Sequence, residues 1–232
     1  MVLLFRYPMK AHTVKAIRDD LIPKVVTSWT APILDELIAR GADVYICAGA
    51  VRDTLALHES GLEISIRDFD IGVCGISRDY FNGIMGEFRG TRNKYGGYEL
   101  SPSHSPKWDV WRMEDTVGLK KRSVPFSLEA VLRSFVLNFN AIALDLRRGT
   151  IWDCGALAAF RRRQIGFANH PIVHSRDTFA SKAMLLSLRY HLSLSAEMRT
   201  FVERNLTQTA LRHEATKSLG RCFTIPECLK SS

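Results

Sequence analysis

Val44-Tyr45-Ile46-Cys47-Ala48-Gly49-Ala50-Val51-Arg52-Asp53 is followed a short way on by Arg67-Asp68-Phe69-Asp70-Ile71. In the first segment Val44 to Cys47 reads as a buried strand, Ala48-Gly49-Ala50 breaks it, and Val51 to Leu57 continues as a short helix. In the second, period-2 alternation over Ile64 to Val73 puts Ile64, Ile66, Asp68 and Asp70 on one face and Phe69, Ile71 and Val73 on the other. Two carboxylates therefore share a face close to a glycine turn.

Each half has a chemical meaning. Carboxylates at i and i+2 on a strand repel one another unless a cation neutralises them, and a hard divalent ion with oxygen ligands is the natural partner. Mg²⁺ keeps positions open for water and phosphate oxygens. A glycine at a strand-to-helix turn lets backbone approach a phosphate, and the first amides of the helix face the anion. Arg52 can add a charge-assisted contact, with Asp53 orienting it or meeting the helix start. An isolated Asp-x-Asp is ordinarily a solvated strand face; the neighbouring turn is what sets this pair apart.

Outward from this centre, Thr30 and Pro32 open a helix with Ile33, Leu34, Leu37 and Ile38 on one side and Gly41 as its stop. Ser77 caps a second, carrying Tyr80, Phe81, Ile84, Met85 and Phe88. Gly90 to Pro106 reads as a loop or irregular hairpin, Trp108 to Arg112 as a strand, and Glu114 to Pro125 as a polar basic stretch. A helix from Ser127 to Phe135, a strand from Phe139 to Leu146, a turn at Arg147-Arg148-Gly149 and Ile151-Trp152-Asp153 follow. The remainder is helical: Ala156 to Arg163, Thr178 to His191, Ala196 to Leu206 and Gln208 to Leu219. This change places a boundary near 165, with an α/β head over 1–165 and a helical extension over 166–232.

Composition sets the outer limits. The 232 residues are 46% hydrophobic and 24% charged, enough for a core and too ordered for a disordered or disulfide-scaffold chain. The net charge of +8 favours a polyanionic partner. Five cysteines without a C-x-x-C pair fit reduced thiols and a cytoplasmic protein. Val2 to Phe5 is too short for a signal peptide and no apolar run reaches membrane-spanning length, so neither secretion nor a membrane is expected.

The two quoted segments resemble the first signature of the polymerase-beta nucleotidyltransferase superfamily, and specifically the head of class II tRNA CCA-adding enzymes and bacterial poly(A) polymerases. Asn140-Ala141-Ile142-Ala143-Leu144-Asp145 with Gly149-Thr150-Ile151-Trp152-Asp153 is similar to that family's Asn-Ala strand and its returning strand. Leu188-Arg189-Tyr190 resembles an Arg-Phe pair at the start of its neck, and Asp109, within Trp108 to Arg112, falls where the family carries a third acid. The likeness runs from residue 33 to about 195.

This resemblance implies an α+β fold: a head with a mixed or antiparallel sheet flanked by helices, then a short all-helical neck. It implies a two-metal Mg²⁺ site on Asp68, Asp70 and Asp109, the last completing the site or accepting the acceptor's proton. Gly49, Arg52, Asn140 and Arg189 would bind the nucleotide. The implied reaction moves NMP from an NTP such as ATP to an acceptor hydroxyl, an RNA 3′ end of tRNA type, releasing pyrophosphate. Alternatives on the same head are an idle nucleotide- or RNA-binding module and a toxin- or defence-type enzyme acting on a protein or small molecule. A homo-oligomer or protein partner is left open.

Departures accompany the matches. Ala48 replaces the family's first glycine, Ser134-Phe135-Val136 stands where it has Arg-Arg-Asp, and Asn138 replaces a Thr. The Glu-Asp-x-x-Arg that chooses between C and A has no counterpart; Asp177, Lys182 and Arg189 are nearest. The chain stops at Ser232, short of the body and tail with which full CCA-adding enzymes grip tRNA, so ordinary CCA repair is not expected.

Other features are weaker. Lys120-Lys121-Arg122, Arg147-Arg148 and Arg161-Arg162-Arg163 are RNA-backbone candidates or solvated faces. His170 and His174 flank Pro171, against helical ligand geometry, and Cys222 and Cys228 make no better zinc pair. Trp108, Trp111 and Trp152 read as core, with Tyr190 the aromatic nearest a nucleotide. Ser101, Ser103 and Ser105 around His104 have no nucleophile elbow, and no P-loop occurs.

Overall fold

The structure, a computed structural model, describes residues 9–101, 106–168 and 175–219. Along these the chain forms α1 (Ala11–Val25), α2 (Ala31–Ala39), β1 (Asp43–Cys47), α3 (Gly49–Ser60), β2 (Asp68–Cys74), α4 (Arg78–Glu87), β3 (Thr91–Arg92), β4 (Tyr98–Leu100) and β5 (Lys107–Arg112). After a 3-10 turn come α5 (Val117–Arg122) and α6 (Leu128–Arg133). Past a second 3-10 turn at Asn138–Asn140 follow β6 (Ile142–Asp145), β7 (Ile151–Asp153), α7 (Ala156–Arg161), β8 (Gln164–Ile165), α8 (Arg176–Tyr190), β9 (Ser193–Leu194), α9 (Ala196–Asn205) and α10 (Gln208–Leu219). His104, His170, His174, Cys222 and Cys228 lie outside the described residues, as do Ser103 and Ser105.

Seven strands form one sheet in the order β3-β4-β5-β2-β1-β6-β7. Its pairings are antiparallel except β2 with β5, which run parallel. The mixed sheet flanked by helices is the α+β architecture expected. β8 and β9 make a separate parallel pair. No described helix is long and apolar enough to cross a membrane.

The sheet buries both faces, and that explains its nearly continuous apolar strands. Val44, Ile46, Ile71 and Val73 pack with Val51 and Leu55 of α3 and with Ile17, Leu21 and Val25 of α1. On the other side Tyr45, Cys47 and Ala143 meet Met113, Leu119, Val131 and Leu132. Gly72 makes room there for Met113, whose terminal methyl would stand 2.7 Å from a Cβ at that position.

Several local expectations shift. Ser77 does cap α4, accepting from the Tyr80 amide at 3.2 Å, but Thr30 turns its hydroxyl to the Val25 carbonyl instead of capping α2. β2 begins at Asp68, not Ile64: its neighbour β5 starts at Lys107, directly opposite Asp68, so the alternating residues before it have no ladder partner. Phe139 sits in a 3-10 turn ahead of β6, and the basic stretch contains α5. Trp108 is buried as expected, packed at 5.5 Å on Trp29, whereas Trp152 is 44% exposed because β7 is an edge strand.

Candidate active site

The site begins where β1 ends. Ala48 adopts φ +49°, ψ −110°, a conformation that favours glycine, and its amide donates to the Ile142 carbonyl at 2.9 Å. This bend starts α3 at Gly49 with no side chain capping the helix, and Ala48, Gly49 and Arg52 line the cleft. A Cβ added at Gly49 would lie 3.8 Å from Arg52 Nη2 and 3.9 Å from Asp70 Oδ2. The glycine keeps open the space between a guanidinium and a carboxylate.

Neighbouring strands carry the acids. In the parallel β2–β5 ladder Asp70 is the register partner of Asp109, and Asp68 that of Lys107; Cys47 at the end of β1 flanks Asp70 on the other side. Burial, with the Asp68 and Asp109 carboxylates beside it, pushes the Asp70 pKa up to about 7. Asp68 is paired with Arg67 at 2.8 Å. Lys107 lies 3.4 Å from Asp109 and 2.5 Å from Glu99. No group of three or more His, Cys, Asp or Glu among the described residues is disposed to hold a metal ion.

Behind the turn, Arg52 is buried at the centre of a polar network. Its guanidinium contacts Asp53 at 2.7 Å, its Nε donates to the Tyr190 hydroxyl at 2.9 Å, and Nη1 donates to Asn140 Oδ1 at 2.6 Å. Tyr190 in turn donates to Asp53, and its ring stands edge-on to Phe139 with centroids 4.7 Å apart. The polar side chain from α8 thus locks the helix that carries Arg52.

All seven residues expected at the site, Gly49, Arg52, Asp68, Asp70, Asp109, Asn140 and Arg189, line one cleft of about 290 Å³. Lys107 and Lys182 line it too and were not expected as site residues. Lys182 had a readable signal: it precedes Arg189 by seven residues with Leu185 and Leu186 between, which is one face of a helix. Lys107 had none, because its place depends on the register of β5. No residue of the three basic clusters lines the cleft; Lys120 is paired with Asp115, and Arg148 with Asp43 and Asp145.

The fold matches solved structures. A CCA-adding enzyme in complex with CTP superposes with a TM-score of 0.59 at 18% identity, covering 88% of this chain and 51% of that one. This chain shares the fold of CCA-adding enzymes. A tRNA-processing enzyme complex gives 0.56 at 20% identity over 81% and 52% of the two chains, and the Thermotoga maritima CCA-adding enzyme complexed with tRNA gives 0.56 at 18% over 86% and 49%. The chain spans about half the length of these structures. No family model matches the sequence, and no curated protein matches it.

Beside that shared fold the departures acquire positions. Ala48 carries its methyl at a positive φ, a conformation that favours the glycine it replaces. Ser134, Phe135 and Val136 line a second cavity next to the cleft, where they offer one hydroxyl in place of three charged side chains. Asp177 bonds to Ser175 and to the Thr178 amide at the start of α8 and lines neither space.

Proposed function

We propose that this protein is a Mg²⁺-dependent nucleotidyltransferase that moves NMP from an NTP to an acceptor hydroxyl, an RNA 3′ end of tRNA type, with release of pyrophosphate. The observation carrying this reading is the convergence on one cleft of Asp68, Asp70 and Asp109 with the Gly49 turn, Arg52, Asn140 and Arg189. Residues 1–165 would form the head and 166–232 the neck.

The donor set suits Mg²⁺. It consists of carboxylate oxygens alone, and the three acids crowd one cleft, where a divalent cation would relieve their repulsion. Asp68, Asp70 and Asp109 would hold the ion, which would supply charge neutralisation for the triphosphate and acidify the acceptor hydroxyl.

The chain's own groups do the positioning. The first amides of α3, with Gly49 leaving room, receive phosphate oxygens, and Arg52 presents its remaining N–H groups beside them. Asn140, its oxygen occupied by Arg52, keeps its amide as a donor toward the nucleotide. Lys182 and Arg189 add positive charge from α8. Asp109 on the neighbouring strand β5 would take the proton of the acceptor hydroxyl.

Incubation with each α-labelled NTP, Mg²⁺ and total RNA, beside an Asp68→Asn, Asp70→Asn double variant, tests this. Label transferred to RNA by the parent and absent with the variant is expected. The loss of the Arg-Arg-Asp set favours one competing reading, an idle binding module; NTP binding without label transfer to RNA, protein or small-molecule acceptors would establish that instead.

A further inference from the structure

The catalytic cleft carries positive charge from two sources. Arg52, Lys182 and Arg189 reach it from helices α3 and α8, whereas Arg67 comes from the residue just before β2 and Lys107 from the first residue of β5. On the nucleotidyltransferase reading, on which this inference rests, the helix-borne set attends the triphosphate. The strand-borne set has no anion assigned to it.

Because β2 and β5 run parallel, Lys107 stands opposite Asp68 at one end of the ladder, two residues before the Asp70–Asp109 pair. Side chains two apart on a strand share a face, roughly 6–7 Å from one another along it. Lys107 therefore stands on the face that carries Asp109, its ammonium 3.4 Å from that carboxylate and 2.5 Å from Glu99. Glu99 is the register partner of Asp109 on β4 and does not line the cleft. With Asp109 given to the metal and the acceptor, Glu99 holds the lysine in place from outside. An ammonium has three donors, so this pairing leaves others for a ligand. With its side chain 37% exposed, Lys107 is open to one.

An acceptor has to bring its hydroxyl to Asp109. In a nucleic acid one sugar separates the terminal 3′ hydroxyl from the last phosphodiester, which puts that phosphate within reach of a cation one strand step from Asp109. A free alcohol or a protein hydroxyl carries no charge at that place. We propose that Lys107, steadied by Glu99, binds the last phosphodiester of a nucleic-acid acceptor and so aligns its 3′ hydroxyl with Asp109. The contact is charge-assisted, and a lysine meets a phosphate as a point charge without demanding one orientation.

The test uses the full chain, Mg²⁺, each labelled NTP and a short RNA hairpin with a single-stranded 3′ tail, made with a natural last linkage or with an uncharged methylphosphonate there. Acceptor kcat/KM is measured for the parent, Lys107→Met and Lys107→Arg, with melting temperatures taken alongside. The uncharged linkage should cost the parent about tenfold or more. Lys107→Met should lose about as much on the natural RNA, lose less than about threefold on the uncharged one, and keep its KM for the NTP within about twofold. Lys107→Arg should recover most of the loss. Equal use of the two RNAs by the parent overturns the proposal whatever the variants do. Equal losses by Lys107→Met on both linkages overturn it too, since a lysine that only neutralises Asp109 would give that result. If neither RNA is labelled but a protein or small-molecule acceptor is, this proposal falls and the nucleotidyltransferase reading stands. Transfer to no acceptor sinks both.

Discussion

Asp70 and Asp109 are register partners across the parallel pairing of β2 with β5, so the two carboxylates issue side by side from adjacent strands. Antiparallel neighbours would have offered a hairpin; the parallel pairing instead brings together acids far apart in the chain. Burial first, then the nearby Asp68 and Asp109 carboxylates, make the Asp70 carboxyl hold its proton to about pH 7.

The sign of the resulting pH dependence is set by that elevation. From the ordinary value of 3.8 up to about 7 the folded chain keeps a proton that the unfolded chain has lost, so this contribution to stability is full below pH 4 and gone above pH 7. Asp70→Asn removes the strain of the ionised form. In metal-free buffer the variant should melt higher than the parent at pH 8, with the difference closing at pH 5. Added Mg²⁺ should raise the parent's melting temperature at pH 8 and leave the variant's unchanged, while nucleotidyl transfer by the variant is abolished.

Ala48 occupies a backbone conformation that costs a non-glycine residue on the order of 1–3 kcal/mol. Ala48→Gly relieves this but adds freedom to the unfolded chain, about 0.5–1 kcal/mol. Urea denaturation should show a net gain of between about 0 and 2.5 kcal/mol.

Tyr190 ties α8 to the buried Arg52–Asp53 pair through its hydroxyl. Tyr190→Phe keeps the ring contacts with Phe139 and Phe160 and deletes only those bonds. Chemical denaturation should register a loss of about 1–3 kcal/mol. In the transfer assay KM for the nucleotide should rise more than kcat falls, since the group lost positions Arg52 and does not itself meet the reacting atoms.

Asp115 is the anchor of a cationic cluster, contacted by Arg78 at 2.5 Å, Lys120 at 2.8 Å and Arg112 at 2.9 Å. Burial opposes its ionisation, yet the hydrogen bonds from Arg112, Lys120 and Arg78 prevail and hold its carboxyl well below the usual range. Its contribution is therefore present above about pH 4 and is lost as the pH falls further. Asp115→Asn should destabilise the protein by about 1–3 kcal/mol at pH 7, and the gap to the parent should narrow at pH 3.

Reading ahead from the residues succeeded where chemistry and geometry were local. The Gly49 turn, the Asp68–Asp70 pair, the capping of α4 by Ser77 and the alternation of β2 all rest on neighbours within a few positions. α1 escaped notice because only Ile17, Leu21 and Val25 mark its buried side, at a spacing of four, with Pro23 inside the helix. The short pair β8–β9 exists through contacts between residues nearly thirty apart, for which two-residue strands carry no periodicity.

What the amino-acid order determined alone is which groups exist at fixed local spacing: two carboxylates on one strand face, and a glycine at the mouth of a helix. Those relations follow from the 2.0- and 3.6-residue periods of the backbone and hold wherever the segments lie. The tertiary structure decided which distant groups join them. Strand order set Asp109 beside Asp70 and Lys107 beside Asp68; packing of α8 brought Tyr190 to Arg52. Such meetings depend on the register and docking of whole elements, set by the summed burial of apolar faces.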